Sequence, residues 1–393
     1  MTSIARLVAP CAIAATLVLI LPILASAQQQ RAGNFAVTLR VPADGLYADE
    51  ESQLEFRVAD ASKDDPVLGA PGAIRATIAS AITMPAMPGM PAATEVAHAE
   101  GVPGDYGIHP IFPHGGRYLL RLDIRPPVGD AFSVEFPLNV KDADPRRPAK
   151  PKAFALELTA KPSKPAAGEP VAMRLVIRDR KTGDAVTAFD VAHEKLLHLM
   201  IIRDDLGTFS HEHPVEQPDG SFVLTYAFPT SGRFRLFADV APQGRGSQVL
   251  TADVDVRAAK GAPAPTAFTL DPNRPPTATA AGMTAKLTFD NPPATRATNV
   301  LTVSLADAAS GVPITDLQPY LGAMGHMVLV SQDGTTYVHS HPDESHADLG
   351  RNGVVPFAAR FAKPGLYRCW AQFQRNNQVV TVDFVVAVRE GAQ

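Results

Sequence analysis

Two segments of the chain carry three histidines with the same spacing, H-x12-H-x-H-P, and this duplication limits the fold more than any other feature of the sequence. In chain order, the first copy contains His198, His211 and His213, and the second contains His326, His339 and His341. Each histidine of the first copy lies 128 positions before its counterpart. A spacing that recurs without a gap predicts that one structural unit occurs twice in the chain.

A second pattern extends the repeat to three blocks. Each block contains F-x3-G, one further residue and an aromatic residue, at Phe112–Tyr118, Phe228–Phe234 and Phe361–Tyr367. Proline-rich, charged stretches at Asp142–Lys152 and Ala258–Thr266 separate the blocks and are predicted to be extended linkers. A chain of 393 residues exceeds what one hydrophobic core usually serves. We therefore predict domains at residues 31–142, 153–258 and 267–390.

The strand pattern predicts the fold class. After each turn glycine, apolar and polar residues alternate, and a β-branched strand closes every block. The 36 prolines and 28 glycines suit a turn-rich β protein, and no convincing amphipathic helix interrupts the strands. We predict an all-β protein with three tandem immunoglobulin-like or cupredoxin-like antiparallel β-sandwich domains after a signal peptide.

The first 27 residues have the features of a signal peptide. Arg6 precedes an apolar run from Ala12 to Leu24, and Ala25-Ser26-Ala27 forms an A-x-A cleavage site. An uncleaved anchor is the alternative, because this segment is nearly long enough to span a bilayer. Cleavage predicts a periplasmic or secreted bacterial protein with no transmembrane segment in the mature chain. It also leaves Cys369 as the single cysteine, so no internal disulfide is expected.

The second histidine copy is predicted to be a β-hairpin whose register brings its histidines together. Asp333-Gly334 between two apolar runs is a strong signal for a two-residue turn with both residues at positive φ. Residues whose numbers add up to 667, the sum for Asp333 and Gly334, then lie opposite each other, so His326 faces His341. His339 shares their face because side chains alternate along a strand.

The same register, shifted by 128 positions, applies to the first copy. It pairs His198 with His213 and Met200 with His211. Because the residues that continue this face are apolar, the histidines are expected at the rim of a sandwich core, where a cupredoxin-like fold would place a metal.

Three neutral imidazoles on one face suit Cu²⁺ or Zn²⁺, and Cu²⁺ has the higher intrinsic affinity. Thioethers favour Cu⁺, and three methionines lie close to the histidines in the sequence: Met200, Met324 and Met327. The register places only Met200 on the histidine face and directs Met327 away. We predict a copper ion, Cu²⁺ or Cu⁺, with zinc as the alternative. Since imidazole must be neutral to bind, the affinity for divalent ions is expected to fall below about pH 6.5.

The first block has a methionine-rich stretch where the other blocks have their first histidine. Its methionines are Met84, Met87 and Met90. Methionines three apart in a polyproline II segment line one side of it, so they form a candidate Cu⁺ site to which His98 is expected to contribute. The alternative is a loop of prolines and methionines that covers the core.

Three other residues with ligand chemistry are predicted to have ordinary structural roles. His109 and His114 flank a turn and are expected to be solvated loop residues, with a contribution to the methionine site as the alternative. Cys369 would suit a blue-copper site, but it occupies the repeat position of Leu120, so we predict a small buried hydrophobic residue.

Two blocks are similar to known families. The first block resembles the YtkA-like β-sandwich domains of exported bacterial proteins, through the M-P-x-M element, Pro103–Tyr106 and Phe112–Gly116. A FixH-like relationship, to a membrane protein associated with making copper oxidases, is similar in kind. The third block resembles a domain of exported proteins thought to handle heavy metals or copper, through these segments: Leu321–His326, His339–Pro342, Phe361–Tyr367 and Trp370–Phe373. The first resemblance implies a β-sandwich domain, and the second implies handling of heavy metals or copper. The second block departs from this pattern, with Leu-His-Leu-Met instead of Gly-His-Met.

These patterns lead to three hypotheses on function. The first is a periplasmic copper-binding or copper-handling protein without catalytic turnover, whose partner is a membrane or periplasmic copper acceptor. The second is a tandem module that binds another protein or a surface polymer, with histidines that serve only the fold. The third, a metalloenzyme, lacks a recognisable base or nucleophile motif. The net charge of −4 and the absence of a basic block argue against nucleic-acid binding.

Overall fold

The computed structural model describes residues 27–42, 44–48, 50–64, 71–87, 89, 92–144, 152–243, 245–342, 350 and 352–391. The predicted signal peptide before Ala27, and Met90 of the methionine-rich stretch, lie outside these residues. Within them, no helix has the length and apolar character needed to cross a membrane.

Domain 1 is a sandwich of two sheets. Its strands are β1 (Ala27–Ala32), β2 (Phe35–Arg40), β3 (Leu46–Tyr47), β4 (Leu54–Asp64), β5 (Pro71–Ala73), β6 (Thr77–Thr83), β7 (Ala93–Val96), β8 (His98–Ala99), β9 (Asp105–Ile108), β10 (Gly116–Arg125) and β11 (Phe132–Lys141). One sheet has the order β1-β2-β4-β9-β8 with β5 on β4, and the other has the order β3-β11-β10-β6-β7. Phe56 and Phe136, one from each sheet, lie in the shared core. The first strand begins before residue 31, the predicted start of this domain.

Domain 2 repeats the sandwich with sheets of four and five strands. Its strands are β12 (Phe154–Lys161), β13 (Pro170–Asp179), β14 (Phe189–Asp190), β15 (Leu197–Arg203), β16 (Phe209–Glu212), β17 (Val215–Glu216), β18 (Phe222–Ala227), β19 (Gly232–Pro242) and β20 (Gln248–Val256). The orders are β12-β13-β18-β17 and β14-β19-β15-β16, with β20 on β19. The sheets share a core that includes Leu199, Phe222 and Phe234.

Domain 3 has the same plan. Its strands are β21 (Thr277–Ala280), β22 (Met283–Phe289), β23 (Thr298–Asp307), β24 (His326–Ser331), β25 (Tyr337–Ser340), β26 (Val354–Arg360), β27 (Gly365–Arg375) and β28 (Gln378–Val388). The orders are β21-β22-β23-β26 and β25-β24-β27-β28. Cys369 is fully buried in this core, which confirms its predicted role as a buried hydrophobic residue. The prediction of an all-β chain of three tandem immunoglobulin-like sandwiches is confirmed.

The F-x3-G pattern forms the same turn in all three domains. Its glycines, Gly116, Gly232 and Gly365, begin β10, β19 and β27 at φ values of 144°, 134° and 133°. The aromatic residues on either side of each turn pack edge to face, with ring centroids 5.0, 4.9 and 4.9 Å apart. In domain 3 the Tyr367 hydroxyl also donates to the Lys363 carbonyl oxygen at 2.8 Å. This turn directs β19 and β27 towards the histidine hairpins.

A fourth apolar cluster lies between domains 2 and 3. Its buried members are Met200, Ile202, Leu206, Phe237, Leu270, Val328, Val330 and Trp370. Strands β15 and β24 are therefore buried on both faces, one against their own core and the other against the neighbouring domain. The prediction that the histidine face lies at the rim of a sandwich core is wrong. That face is the outer side of the sheet, and it is apolar because a second domain covers it.

The contacts between domains 2 and 3 are reciprocal. Phe209 stacks on Trp370 with ring centroids 4.8 Å apart, and the equivalent residues Tyr337 and Phe237 stack at 4.9 Å. Reciprocal contacts of this kind are typical of a two-fold symmetric dimer, here formed within one chain.

Two arginines make another reciprocal pair of contacts. Arg235 donates to the carbonyl oxygen of Gly334 at 3.1 Å, and the equivalent Arg368 donates to that of Leu206. The segment after the second linker is part of the same interface, because Phe268 packs on the Arg368 guanidinium at 4.0 Å. The predicted linker Ala258–Thr266 contains no strand but includes a turn in which the Ala262 amide donates to the Ala259 carbonyl oxygen at 3.0 Å. The residues that follow it, including Phe268, lie between the domains.

Candidate metal centre

The hairpin of domain 3 has the predicted register with a different turn. Val328 pairs with His339 and Val330 with Tyr337, so paired residue numbers add up to 667. The Gly334 amide donates to the Ser331 carbonyl oxygen at 2.7 Å, and only Gly334 of the Asp333-Gly334 pair has a positive φ, 68°. The prediction of a two-residue turn with both residues at positive φ is therefore wrong. The turn consists of the four residues 332–335, because the Ser331 amide donates to the Thr336 carbonyl oxygen at 3.0 Å. Its centre still lies between Asp333 and Gly334, so the strand register is the one predicted.

Domain 2 repeats this hairpin. Met200 pairs with His211 and Ile202 with Phe209, as the 128-residue offset predicts. Leu206, at the repeat position of Gly334, has a φ of 61°. A leucine adopts this conformation here because its side chain is buried in the cluster between the domains.

In two histidines of domain 3, hydrogen bonds determine which ring nitrogen carries the proton. His326 Nε2 donates to the Tyr320 carbonyl oxygen at 2.8 Å, and His339 Nδ1 donates to Asp239 Oδ2 of domain 2 at 2.9 Å. A neutral imidazole has one donor and one acceptor nitrogen, so His326 Nδ1 and His339 Nε2 carry lone pairs. His341 Nε2 lies 3.1 Å from His339 Nε2. His326 Nδ1 is buried and has no hydrogen-bond partner.

Domain 2 has the same arrangement. His198 Nε2 donates to the Ala192 carbonyl oxygen at 2.9 Å, and His211 Nδ1 donates to Gln372 Oε1 of domain 3 at 2.7 Å. The lone-pair nitrogens, His198 Nδ1 and His211 Nε2, then face each other at 3.1 Å. His213 Nε2 lies 3.2 Å from His198 Nδ1.

Each group of three ring nitrogens fits a metal ion. In both groups, one nitrogen from every histidine lies within 4.8 Å of the other two. Two imidazole lone pairs at about 3 Å repel each other unless a cation lies between them. Ligands bound tetrahedrally at about 2.0–2.1 Å are about 3.3 Å apart, which is close to the 3.1 Å between His339 and His341 and to the 3.1 and 3.2 Å separations in domain 2.

The two groups lie side by side as a single centre. The ring centroid of His198 lies 5.6 Å from that of His339 and 6.3 Å from that of His326. These distances between domains are similar to the 5.8 Å between His326 and His339 within domain 3. A seventh histidine that the sequence analysis did not select, His193, stacks on His341 at 3.6 Å. Its counterpart at the 128-residue offset is Leu321, so the repeat gave no signal for it.

The surroundings keep the imidazoles neutral. Burial, with a smaller effect of the nearby His198, lowers the pKa of His211 to about 4. Burial also moves the pKa values of His326, His339 and His341 well below the usual 6.5. Neutral rings are the form that binds a metal ion.

Two residues that support the histidines, Asp239 and Gln372, were also missed in the sequence. Each is the cross-strand partner of the first histidine of its own domain, His198 or His326, but bonds a histidine of the other domain. A signal was present, since each is a polar residue 11 positions after the phenylalanine of F-x3-G, near the end of an apolar strand.

The three methionines of domains 2 and 3 have different surroundings. Met200 is buried between the domains and accepts a hydrogen bond from the Tyr337 hydroxyl at 3.2 Å. Met327 lies in the core of domain 3, on the opposite face from the histidines, so its inclusion among the candidate ligands is wrong. Met324 is half-buried just before β24.

In domain 1 the candidate residues separate. Met84 packs against the core and Met87 is exposed. His98 instead groups with Glu95 and His109, whose ligand atoms lie within 4.8 Å of one another. His109 stacks on His98 at 4.9 Å and its Nδ1 is buried, so the prediction of a solvated residue is wrong there.

His114, predicted to be solvated as well, is half-buried beside Tyr118. It lies in the loop before β10, as predicted, and keeps part of its surface exposed. Whether Met84, Met87, Met90 and His98 bind copper together stays a prediction.

One protein family matches the two domains that form the centre. Its description is "Domain of unknown function (DUF8832)", and it matches residues 153–260 and 278–390, which together are more than half of the chain. The chain belongs to this family. Each DUF8832 domain contains one complete histidine hairpin, so the two histidine groups meet where two copies of the family domain pack together. The YtkA-like resemblance of domain 1 stays a prediction. No curated protein matches the chain.

Several solved structures match the chain at low similarity. The FdeC adhesin of Escherichia coli has 19% identity, covers 92% of this chain and 98% of its own, and has a TM-score of 0.21. Invasin, a bacterial integrin-binding protein, has 16% identity and a TM-score of 0.18, with coverages of 90% and 60%. Salmonella alpha-2-macroglobulin has 13% identity and a TM-score of 0.22, with coverages of 92% and 24%. Scores this low assign no function to the DUF8832 domains.

Proposed function

We propose that the protein is an exported, non-catalytic copper-binding protein that holds two ions where its DUF8832 domains meet. The observation that carries the proposal is the convergence of three imidazole nitrogens in each domain, with lone pairs directed at one another by hydrogen bonds on the opposite ring nitrogens. Packing alone does not require two buried sets of nitrogen acceptors without donors between them.

Copper is favoured over zinc by affinity and by the surroundings. Three imidazoles suit both ions, but Cu²⁺ binds nitrogen sites more tightly than Zn²⁺. The buried Met200 thioether, directly across the strands from His211, adds a soft group near the domain 2 site. The signal peptide predicted from the sequence supports export. A membrane or periplasmic copper acceptor is the partner proposed to receive the ion.

Metal analysis of protein purified without chelator tests the proposal. We expect up to two copper ions per chain, each lost with one pair of substitutions, His211→Ala with His213→Ala or His339→Ala with His341→Ala. His114→Ala is the matched control, because this half-buried histidine in domain 1 bonds to Tyr118 and lies outside the centre. Copper or zinc affinity no better than millimolar, or unchanged in both double variants, would contradict the proposal.

The alternative is a tandem module that binds another protein or a surface polymer. The names of two of the matching structures, adhesin and integrin-binding protein, are nearer to this alternative than to copper handling. In that case the histidines would only stabilise the interface. The double variants would then lower the melting temperature in metal-free buffer, and the parent protein would show no gain in melting temperature with copper.

A further inference from the structure

The two halves of the metal centre differ at one supporting position. Asp239 of domain 2 accepts the hydrogen bond of His339, and Gln372 of domain 3 accepts that of His211. These two residues are equivalent in the repeat, since each pairs across the strands with the first histidine of its own domain. The domain 3 site is therefore supported by a carboxylate and the domain 2 site by a neutral amide.

A carboxylate and an amide act differently on a bound cation. A carboxylate that accepts from the distal N–H of an imidazole makes that ring a stronger ligand and adds a negative charge close to the ion. An amide oxygen orients the ring equally well but supplies no charge. Because the site is shielded from water, the charge is only weakly screened.

We propose that the two sites are unequal and that the domain 3 site, formed by His326, His339 and His341, binds divalent cations more tightly because of Asp239. The inference rests on the proposed function. Asp239 is a positioning residue, because it reaches the ion through the His339 ring.

The charge of Asp239 also reaches the other site, but less directly. Asp239 lies across the strands from His198, whereas its hydrogen bond goes to His339 at 2.9 Å. The two sites differ in a second way. The domain 2 hairpin has Met200 where domain 3 has Val328, so the soft thioether, which favours Cu⁺, lies near the site without the carboxylate. Both differences favour divalent cations at the domain 3 site.

Single-site proteins separate the two affinities. The full-length chain with His211→Ala and His213→Ala keeps the domain 3 site, and the chain with His339→Ala and His341→Ala keeps the domain 2 site. Zn²⁺ titration against a chromophoric chelator avoids redox changes. We expect the domain 3 site to bind Zn²⁺ about 10- to 100-fold more tightly, the range found for such supporting groups.

Two substitutions of similar shape then test the cause. Asp239→Asn keeps an oxygen acceptor and removes the charge, so it should weaken Zn²⁺ binding at the domain 3 site by about tenfold or more. Gln372→Glu adds a charge and should strengthen binding at the domain 2 site. With Cu²⁺, Asp239→Asn should alter the electron paramagnetic resonance spectrum of the domain 3 site, a change that a purely structural role would not produce.

The possible results are distinguishable. Equal Zn²⁺ affinities in the two single-site proteins, or no effect of Asp239→Asn on binding, would overturn the inference and leave the proposed function intact. A parent protein that binds neither Cu²⁺ nor Zn²⁺ would end both. If Asp239→Asn fails to fold, as judged by thermal unfolding, Gln372→Glu decides alone, and an unchanged domain 2 affinity overturns the inference.

Discussion

At the scale of single residues, the buried Nδ1 of His326 supports the proposal that the centre binds a cation. This atom has no hydrogen-bond partner, and its ring is fixed by the bond from Nε2 to the Tyr320 carbonyl oxygen. A buried polar atom left without a partner costs about 1–3 kcal/mol. A metal ion bound at His326, His339 and His341 would remove this cost. The stability of the metal-free protein is therefore expected to be below that of the metal-bound form.

The low pKa values of the buried imidazoles predict an unusual pH dependence of metal binding. Burial lowers the pKa of His211 to about 4, so protons compete with the ion only at lower pH than the 6.5 of an ordinary histidine suggests. At the domain 2 site, Cu²⁺ and Zn²⁺ affinities should stay nearly constant from pH 7.5 to about pH 5 and fall towards pH 4. The domain 3 site should weaken at higher pH, because burial raises the pKa of Asp239 to about 6 and protonation removes its charge. Titrations at half-unit pH steps would measure this. A tenfold loss for each unit below pH 6.5 at the domain 2 site would contradict it.

The same pKa values determine how the metal-free fold responds to acid. Between pH 6.5 and about pH 4, the unfolded chain binds protons at His211 that the folded chain does not. Stability therefore rises with pH in this window and is lost as the pH falls through it. This loss is separate from metal binding, because it occurs in chelator-treated protein.

The two hairpins show at the scale of elements which parts of the structure the sequence could predict. Asp333-Gly334 and the 128-residue offset were enough to assign the register, because a turn of either length is symmetric about the same point. The turn type was not predictable from that pair alone. In domain 2, Leu206 has a positive φ without a glycine, since burial between the domains outweighs its backbone strain.

Substitution of Gly334 tests the turn. Gly334→Ala adds a Cβ that meets only the Arg235 side chain at 3.6 Å, so the cost is conformational rather than steric. At a φ of 68°, we expect a loss of about 1–2 kcal/mol in the free energy of unfolding. Urea unfolding monitored by circular dichroism would measure it. The neighbouring exposed Gln332→Ala is the control, with an expected change within about 0.5 kcal/mol. Equal effects of both substitutions would mean that the turn conformation is unimportant.

The pairing of domains 2 and 3 determines the centre at the scale of the whole molecule, and this pairing could not be predicted from the sequence. Strand β15 is apolar on both faces, which fits a buried core strand as well as a strand covered by a second domain. Only the reciprocal contacts distinguish these cases, and they join residues about 100 positions apart, such as Phe237 and Tyr337 or Arg235 and Gly334. The six candidate ligands were predictable from local spacing, whereas the contact of Asp239 with a histidine of the other domain depends on the domain arrangement.

Because each site takes a supporting residue from the other domain, weakening the interface should lower metal affinity in both domains. Trp370 is 3% exposed and stacks on Phe209 between the domains. Trp370→Ala should cost about 3–5 kcal/mol of stability and, by displacing Gln372 from His211, reduce Zn²⁺ affinity at the domain 2 site about tenfold or more. The measurement uses the chain with His339→Ala and His341→Ala, where only that site remains.

Leu287→Ala provides the matched control for this prediction. Leu287 is buried in the core of domain 3, away from the interface, and its truncation should cost about 2–5 kcal/mol. It removes stability from the same domain but leaves Gln372 in contact with His211, so the Zn²⁺ affinity of the domain 2 site should be unchanged. If both variants lower the Zn²⁺ affinity of the domain 2 site equally, this affinity depends on the overall stability of domain 3 and the prediction is contradicted. If only Trp370→Ala lowers it, the two domains form the centre together.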